Sequence, residues 1–425
     1  MFTKIGYGWR WVCVRWTAKI MQQISYFWSD KGPAGDCFWW LDVLLLLGGI
    51  HSESTATWAH ERKIRIICRC LFAYHAVAFV LQLNDALYEE KKAALVVWEL
   101  MKVIFIFVAY LKVVLVVQLK GSIATLRQFI RSNHICSGDI EYDELEQNKF
   151  NKIVRITIQV VFVLIIIDTL ILSVPNFSNN DLLKLPHLLA LTGMFPSYIL
   201  KILLTSCLGI SVIPKYFACT ACVGAVLIGM RTRLRILAHR FEHISQQDFT
   251  SEEKAFECVN RDIQEALAQH LEYWSHLKAM KIMVSKTFLK VHYFSIVAIG
   301  SLIYVCCAMG VNGVTFVIGA GTVSFLMEYY LLCHLVDLLQ DEADSIGYHI
   351  FRICAQIPYN SELRSEYVQL RTTLMIVWIN TRNGISLNCL GLFEITTFTF
   401  VTLIDAAYSV LMFLIKMGKI VDTDG

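Results

Sequence analysis

Apolar residues in this chain gather in blocks of about 20 or more, long enough to cross a bilayer as helix, and polar or charged stretches separate them. Seven blocks are predicted as membrane helices: 66–87, 93–119, 153–174, 198–230, 284–309, 314–339 and 393–417. A shorter block, DCFWWLDVLLLLGGI at 36–50, cannot span and carries two acids, so it reads as a re-entrant or interfacial segment. Between blocks four and five, Ile263, Leu267, Leu271, Trp274 and Leu277 recur at three- and four-residue spacing. Between blocks six and seven, Leu363, Tyr367, Leu370, Leu374 and Val377 do the same. Both stretches are expected to be amphipathic helices that prolong the spans beyond the bilayer. Such stripes need a partner, within the chain or from another subunit. The chain thus divides into 1–65, spans one to six at 66–339, a helical anchor at 340–392, the last span at 393–417 and a tail at 418–425.

Composition agrees with an all-α membrane protein. Of 425 residues, 56% are hydrophobic and 17% charged, and the mean hydropathy is +0.53, too apolar for a soluble domain of this length. The net charge of +3 implies no nucleic-acid partner, because the basic residues border the apolar blocks and form no stripe. Lys4, Arg10, Arg15, Lys19, Arg62, Lys63, Arg65 and Arg69 fall on the same side as Arg231, Arg233 and Arg235. That side is expected to be the cytoplasm, with the N-terminus inside and the C-terminus outside. The sequon at Asn176 then lies outside, a candidate glycosylation site, although sequons also arise by chance. The basic, aromatic first residues lack a continuous apolar core, so no cleavable signal peptide is expected. The short tail leaves little cytoplasmic surface after the last helix, which points to that helix as working machinery rather than an anchor.

The fourteen cysteines lie mostly in apolar blocks and read as small buried side chains. Cys219 and Cys222 have the spacing of a redox or zinc pair, but inside a span packing is the plainer reading. No Ser/His/Asp set, phosphate loop or metal-ligand spacing occurs outside the helices, so neither an enzyme nor a cofactor is expected. Asp168, Glu328 and Asp405 are acids inside spans. Each is a functional candidate by its cost in lipid, and each could instead make a helix-packing hydrogen bond. In the last span Ile404, Ala407, Tyr408, Leu411, Leu414, Ile415 and Gly418 share one face, with Asp405 on another. Alone, that face is an ordinary core or lipid-facing stripe.

Three stretches carry a family resemblance. CVNRDIQEALAQHLEYWSHLKAM leads into MVSKTFLKVHYFSIVAIGSLIYVCC within 256–307, EYYLLCHLVDLLQDEADSIGY fills 328–348, and the chain closes on GLFEITTFTFVTLIDAAYSVLMFLIKM. Together with the inverted topology they resemble the insect odorant receptors, although Val336 stands where that family often has glycine and Phe351 where tryptophan is common. The resemblance implies an odorant-gated, non-selective cation channel subunit in the plasma membrane of an olfactory neuron. It implies a tetramer with co-receptor subunits or with itself, and a pore lined by helix seven. Under it, Ile404, Ala407, Tyr408, Leu411, Leu414 and Ile415 line the pore, with Leu411 at the constriction. It also implies an outer-half pocket for a volatile ligand. Span two would supply Trp98, Met101 and Phe105. Span three would add Asp168, Thr169, Leu172 and Ser173, span four Cys207, Ile210 and Ile213, and span six Phe316 and Val323. A gustatory receptor of the same superfamily is the alternative, but its usual Gln-Phe ending is missing. A G-protein-coupled receptor would need an outside N-terminus and DRY- and NPxxY-like motifs. A transporter would need internal repeats.

Overall fold

A computed structural model describes residues 38–51, 60–88, 93–132, 134–173, 184–246, 253–311, 313–357, 359 and 364–424; within these, the side chains of 168–173, 253–256, 313–314, 382–384 and 419–424 are not described. Thirteen helices account for nearly all of it. They are α1 Phe38–Leu47, α2 Glu61–Tyr88, α3 Ala93–Gln118, α4 Lys120–Arg131, α5 Ile140–Ser173, α6 His187–Ala190, α7 Met194–Ser206, α8 Leu208–Ser211, α9 Ile213–Gln246, α10 Glu253–Met309, α11 Gly313–Gln356, α12 Arg364–Gly384 and α13 Thr397–Asp424. The only pairing of extended backbone among the described residues is one antiparallel bridge, Asn388 to Glu394. Seven helical segments are long and apolar enough to cross a membrane. Helix is the form such blocks must take, because lipid offers no partner for a free backbone N–H or C=O.

The fourth predicted span is not one helix. It is cut at Cys207 and at Val212 into α7, α8 and α9. Pro214, second in α9, has no N–H to give to the Ile210 carbonyl, and its ring crowds that carbonyl. The chain restarts there, at the position where proline suits a helix start. Past the expected membrane boundary α9, α10 and α11 continue unbroken. At 57 residues α10 is about 85 Å long at 1.5 Å per residue, far beyond the ~30 Å of bilayer hydrocarbon.

Both amphipathic stretches find partners inside the chain. Tyr367, Leu370 and Leu374 are buried on α12, which packs on α11, and Leu363 lies outside the described residues. On α10 the buried face runs through Ile263, Ala266, Leu267, His270, Tyr273 and Leu277. Leu271 was assigned to that stripe from its spacing but is 72% exposed, because it sits more than a quarter turn from the centre of the buried face. The short block forms α1, and it is not a surface element. Phe38, Leu41, Asp42 and Leu44 are wholly buried, and Arg127 of α4 grips both Asp42 oxygens at 2.7 Å.

Helix α9 is the hub, touching α1, α3, α4, α5, α10 and α11. A Cβ at Gly229 would come within 2.7 Å of Ile130, so glycine there lets α4 seat closely. At the same end Arg233 donates to the Ile130 carbonyl at 3.1 Å through Nε. Arg235 bridges Glu342 of α11 at 2.6 Å and Glu146 of α5 at 3.2 Å. The basic cluster read as an orientation signal therefore also ties three helices together.

Candidate functional site

Two places combine unusual chemistry with membrane depth. The first lies where α3, α9, α10 and α11 meet. Phe105 of α3 lies with its ring centre 4.8 Å from Tyr216 of α9, 6.2 Å from Phe294 of α10 and 6.0 Å from Phe325 of α11. Tyr216 and Phe325 are 5.5 Å apart, Phe294 and Phe325 5.3 Å. These offset and edge contacts are the arrangements that aromatic quadrupoles favour.

An ionic layer adjoins the rings. It arises from helical spacing: Lys112 follows Phe105 by two turns, Thr220 follows Tyr216 by one, and Glu328 follows Phe325 by one. Lys112 Nζ is 2.7 Å from Glu328 Oε1, and both side chains are almost wholly buried. Thr220 donates to the same oxygen. Lys112 Nζ also sits 3.4 Å from the Tyr216 ring centre, a cation–π contact that couples the two layers. Two opposite charges at this depth neutralise each other, and removing one would strand the other.

The sequence-assigned pocket residues divide around this centre. Phe105 is in it. Met101 is buried and Trp98 half-buried on the same helix, with Lys102 Nζ 5.8 Å from the Trp98 ring. Cys207 and Ile213 are half-buried at the two breaks before α9. Three residues are not brought in. Ile210 is 43%, Phe316 73% and Val323 57% exposed. On α11 the inward face is Thr315, Ile318, Thr322 and Phe325, so the face holding Phe316 and Val323 was assigned about half a turn off. The side chains of Asp168, Thr169, Leu172 and Ser173 lie outside the described residues, although their backbone continues α5. Asn176 also lies outside them. Spacing alone missed Tyr216, Phe294, Phe325 and Lys112. Lys112 carried a signal nonetheless: a cation in the middle of an apolar block calls for a buried acid, and Glu328 was already marked.

The second place is α13, which packs chiefly on α10. Gly300 makes that contact close. A Cβ there would lie 2.6 Å from the Ala407 carbonyl oxygen and 2.8 Å from Val410. A Cβ at Gly418 would lie 2.5 Å from the Tyr304 hydroxyl. Leu403 and Ala407 are buried, and Leu411, Leu414 and Ile415 half-buried, against this contact. Of the face expected to line a pore, Ala407 and Gly418 meet α10, Leu411, Leu414 and Ile415 are half-buried, and Ile404 and Tyr408 are 44% and 60% exposed. Asp405, on another face of the helix, is exposed. Thr402, Asp405, Ser409 and Lys416 form an exposed polar stripe at spacings of three, four and seven. The stripe begins one turn after a tether to α11, where Asp337 accepts hydrogen bonds from the Thr397 N–H at 2.8 Å and from its hydroxyl.

Among the described residues no three His, Cys, Asp or Glu side chains converge as a metal site would, and the cysteines given there are all free thiols. No protein-family model matches the chain, and no curated protein does. Solved structures do. The insect olfactory receptor OR5 from Machilis hrabei in complex with eugenol aligns with a TM-score of 0.66 at 11% identity, over 89% of this chain and 97% of that one. A second structure of the same receptor gives 0.62 at 12% identity, over 89% and 96%. The chain has the insect olfactory receptor fold.

Proposed function

We propose that this chain is a subunit of a non-selective cation channel, opened by a hydrophobic volatile odorant, in the plasma membrane of an olfactory neuron. It is a receptor and not an enzyme, and it works in a tetramer with co-receptor subunits or with copies of itself. The observation that carries this reading is α13. It is apolar enough to span a bilayer, yet it is the least buried of the seven long apolar helices, with only 17% of its most apolar stretch covered by the described residues, and its open side holds Thr402, Asp405, Ser409 and Lys416. A carboxylate facing lipid at that depth is costly, so this side is better suited to water or another subunit. The pore surface is then Thr402, Asp405 and Ser409, with Ile404 and Tyr408 beside them and Leu411 at the margin. In this reading Asn176 and the C-terminus lie outside.

The ligand cavity is bordered by α3, α5, α9 and α11. Its floor is the Phe105–Tyr216–Phe325 cluster, and its walls are drawn from Trp98, Met101, Asp168, Thr169, Leu172, Ser173, Cys207 and Ile213. The similar receptor's complex with eugenol supports a small, largely apolar ligand. A route from cavity to pore follows from the contacts. Phe325 and Glu328 lie on the same helix as Asp337, which holds the first turn of α13. A ligand that displaces α11 therefore acts directly on α13, while the Gly300 contact serves as pivot. Assembly has a candidate surface on α12, where Val368, Met375, Ile376 and Ile379 form an exposed apolar stripe.

The test is odorant-evoked current from cells expressing the chain with and without a co-receptor subunit, combined with cysteine accessibility. Thr402→Cys and Ser409→Cys should be modified from the outer solution when the channel is open, and Ala407→Cys should not. The reverse pattern, or absence of odorant-evoked current in both settings, would sink the proposal.

A further inference from the structure

Between α12 and α13 the chain makes a hairpin, residues 385–396. Its arms pair through the Cys389 N–H to the Phe393 carbonyl and the Ile395 N–H to the Leu387 carbonyl, both at 2.8 Å. One face keys into the bundle. Leu387, Cys389 and Ile395 are buried, and the Phe393 ring centre lies 4.6 Å from His292 and 6.2 Å from Phe288, both of α10. The tip turns its side chains out: Leu390 and Leu392, on either side of Gly391, are 56% and 62% exposed. Leu390 has φ +50°, and it is the only residue other than glycine with positive φ among the described residues. That backbone suits glycine or asparagine, so a leucine held there at a cost points to a use for its side chain. The tip is also braced. The Leu390 N–H donates to the Ser285 hydroxyl of α10 at 2.7 Å, and Asp337 of α11 holds the Thr397 N–H just beyond the hairpin.

We propose that this tip is a membrane foot: Leu390 and Leu392 insert among lipid acyl chains at the headgroup boundary, with Lys286 of α10 at the phosphates beside them. Depth is the first support. From Ser285 to its far end at Met309, α10 is about 36 Å long, more than the ~30 Å of bilayer hydrocarbon and less than the ~40–45 Å of a whole bilayer. The tip, bonded to Ser285, therefore lies at a headgroup layer. The surface of α10 gives the same depth independently. Lys286 is exposed, and Tyr293 and Val297 follow it on the same face at 54% and 39% exposure. Cation, aromatic and aliphatic residue come in the order in which a span passes from headgroups to acyl chains. The hairpin's acid, Glu394, sits on the arm rather than the tip, where the Ser386 hydroxyl donates to it at 3.3 Å. Two leucines offer far less area than a subunit interface needs, whereas each gains from acyl chains by its own transfer from water. Because α13 starts a few residues after Leu392, the foot sets the depth at which the last span enters the bilayer. The inference requires a membrane-spanning chain but not the channel reading, and its test involves no odorant.

The full chain, with the exposed Cys70, Cys258 and Cys307 replaced by serine, is given one added cysteine, labelled with a nitroxide and reconstituted in phosphatidylcholine vesicles. Spectra of the parent without the added cysteine are subtracted. Val297→Cys supplies the acyl-chain reference, and Leu271→Cys, at a residue 72% exposed on the part of α10 beyond the span, the water reference. Labels at Leu390→Cys and Leu392→Cys should be relaxed more by oxygen than by a soluble nickel chelate, with a ratio close to that at Val297. A ratio like that at Leu271 overturns the proposal. So does shielding from both reagents, because a second copy would then cover the tip. A water-like ratio at Val297 as well would sink the membrane reading along with the foot, a pattern distinct from failure of the foot alone. If the labelled chains do not fold, Leu392→Trp in the native chain replaces them. Its added fluorescence over wild type should be quenched by brominated acyl chains, and quenching by aqueous iodide alone, or by neither, overturns the proposal.

Discussion

Helices α9 and α13 have nearly the same hydropathy, 1.7 and 2.0 in their most apolar windows, but 67% of the α9 window is buried in the chain against 17% of the α13 window. Seven other helices touch α9. Its neighbours answer it residue by residue: the Gly229 notch takes Ile130, and Thr220 and Tyr216 face the Lys112–Glu328 pair. On α13 such matching is confined to the side that meets α10 and to the first turn, which Asp337 of α11 holds. In an oily solvent, apolarity brings a helix into the bilayer without assigning it a neighbour. The core helix is therefore marked by small residues and paired charges, and the peripheral one by a polar stripe that the described residues leave exposed.

The sharpest way to break this contrast is to attack the hub. Lys112→Met should leave Glu328 stranded and cost about 3–5 kcal/mol, read as loss of the monodisperse peak in size-exclusion chromatography. Adding Glu328→Gln should restore most of the folded protein. If the single and double variants behave alike, the pair does not hold the hub. On α13 the one matched side should be the sensitive one. Gly300→Leu should push α13 off α10 and cost about 1–3 kcal/mol, seen as a lower melting temperature, whereas Ser409→Leu on the open side should leave melting unchanged.

The extended part of α10 offers a further test, independent of the membrane. His270 is buried, stacks on Trp274 with ring centres 4.4 Å apart, and meets the Thr381 hydroxyl at 3.0 Å. Thr381 donates to the Val377 carbonyl, so its oxygen is left to accept from the imidazole N–H. Burial pushes the His270 pKa down to about 4. The unfolded chain takes up a proton near pH 6.5 and the folded chain does not until lower pH, so the stability due to neutral His270 is complete above 6.5 and is lost as pH falls towards 4. At pH 5 the loss is about 2 kcal/mol. Melting curves of wild type and His270→Gln should diverge at pH 7.5 and converge at pH 5. Parallel curves would place the titration elsewhere.

The smallest effect on stability should come from the open face of α13. Asp405→Asn should change melting by less than about 0.5 kcal/mol, as for other exposed sites. Its effect should appear instead as a shifted reversal potential between cations and anions. A large stability loss with unchanged permeation would move Asp405 to a packing role.

Much of this was legible in the sequence. All seven predicted spans have counterparts among the long apolar helices, and both amphipathic stretches are helical. The break at Cys207 and Val212 was not foreseen, although Pro214 marked the place. Of the residues singled out, Phe105, Met101 and Glu328 lie inside the chain, Phe316 and Val323 are exposed, and Leu411 is half-buried. Which side of an apolar helix faces protein was not legible, because apolar residues occupy every side.

By itself the sequence determined that the chain is helical and that seven of its helical stretches are long and apolar enough to cross a bilayer. Those follow from hydropathy, length and the need of every backbone group for a partner in lipid. Tertiary structure alone decided that Lys112 meets Glu328 across 216 positions, that Asp42 meets Arg127 across 85, and that Gly300 admits Ala407. Lipid solvates an apolar face about as well as a neighbouring helix does, so the pairing of faces is settled by the few places where shape and charge must match.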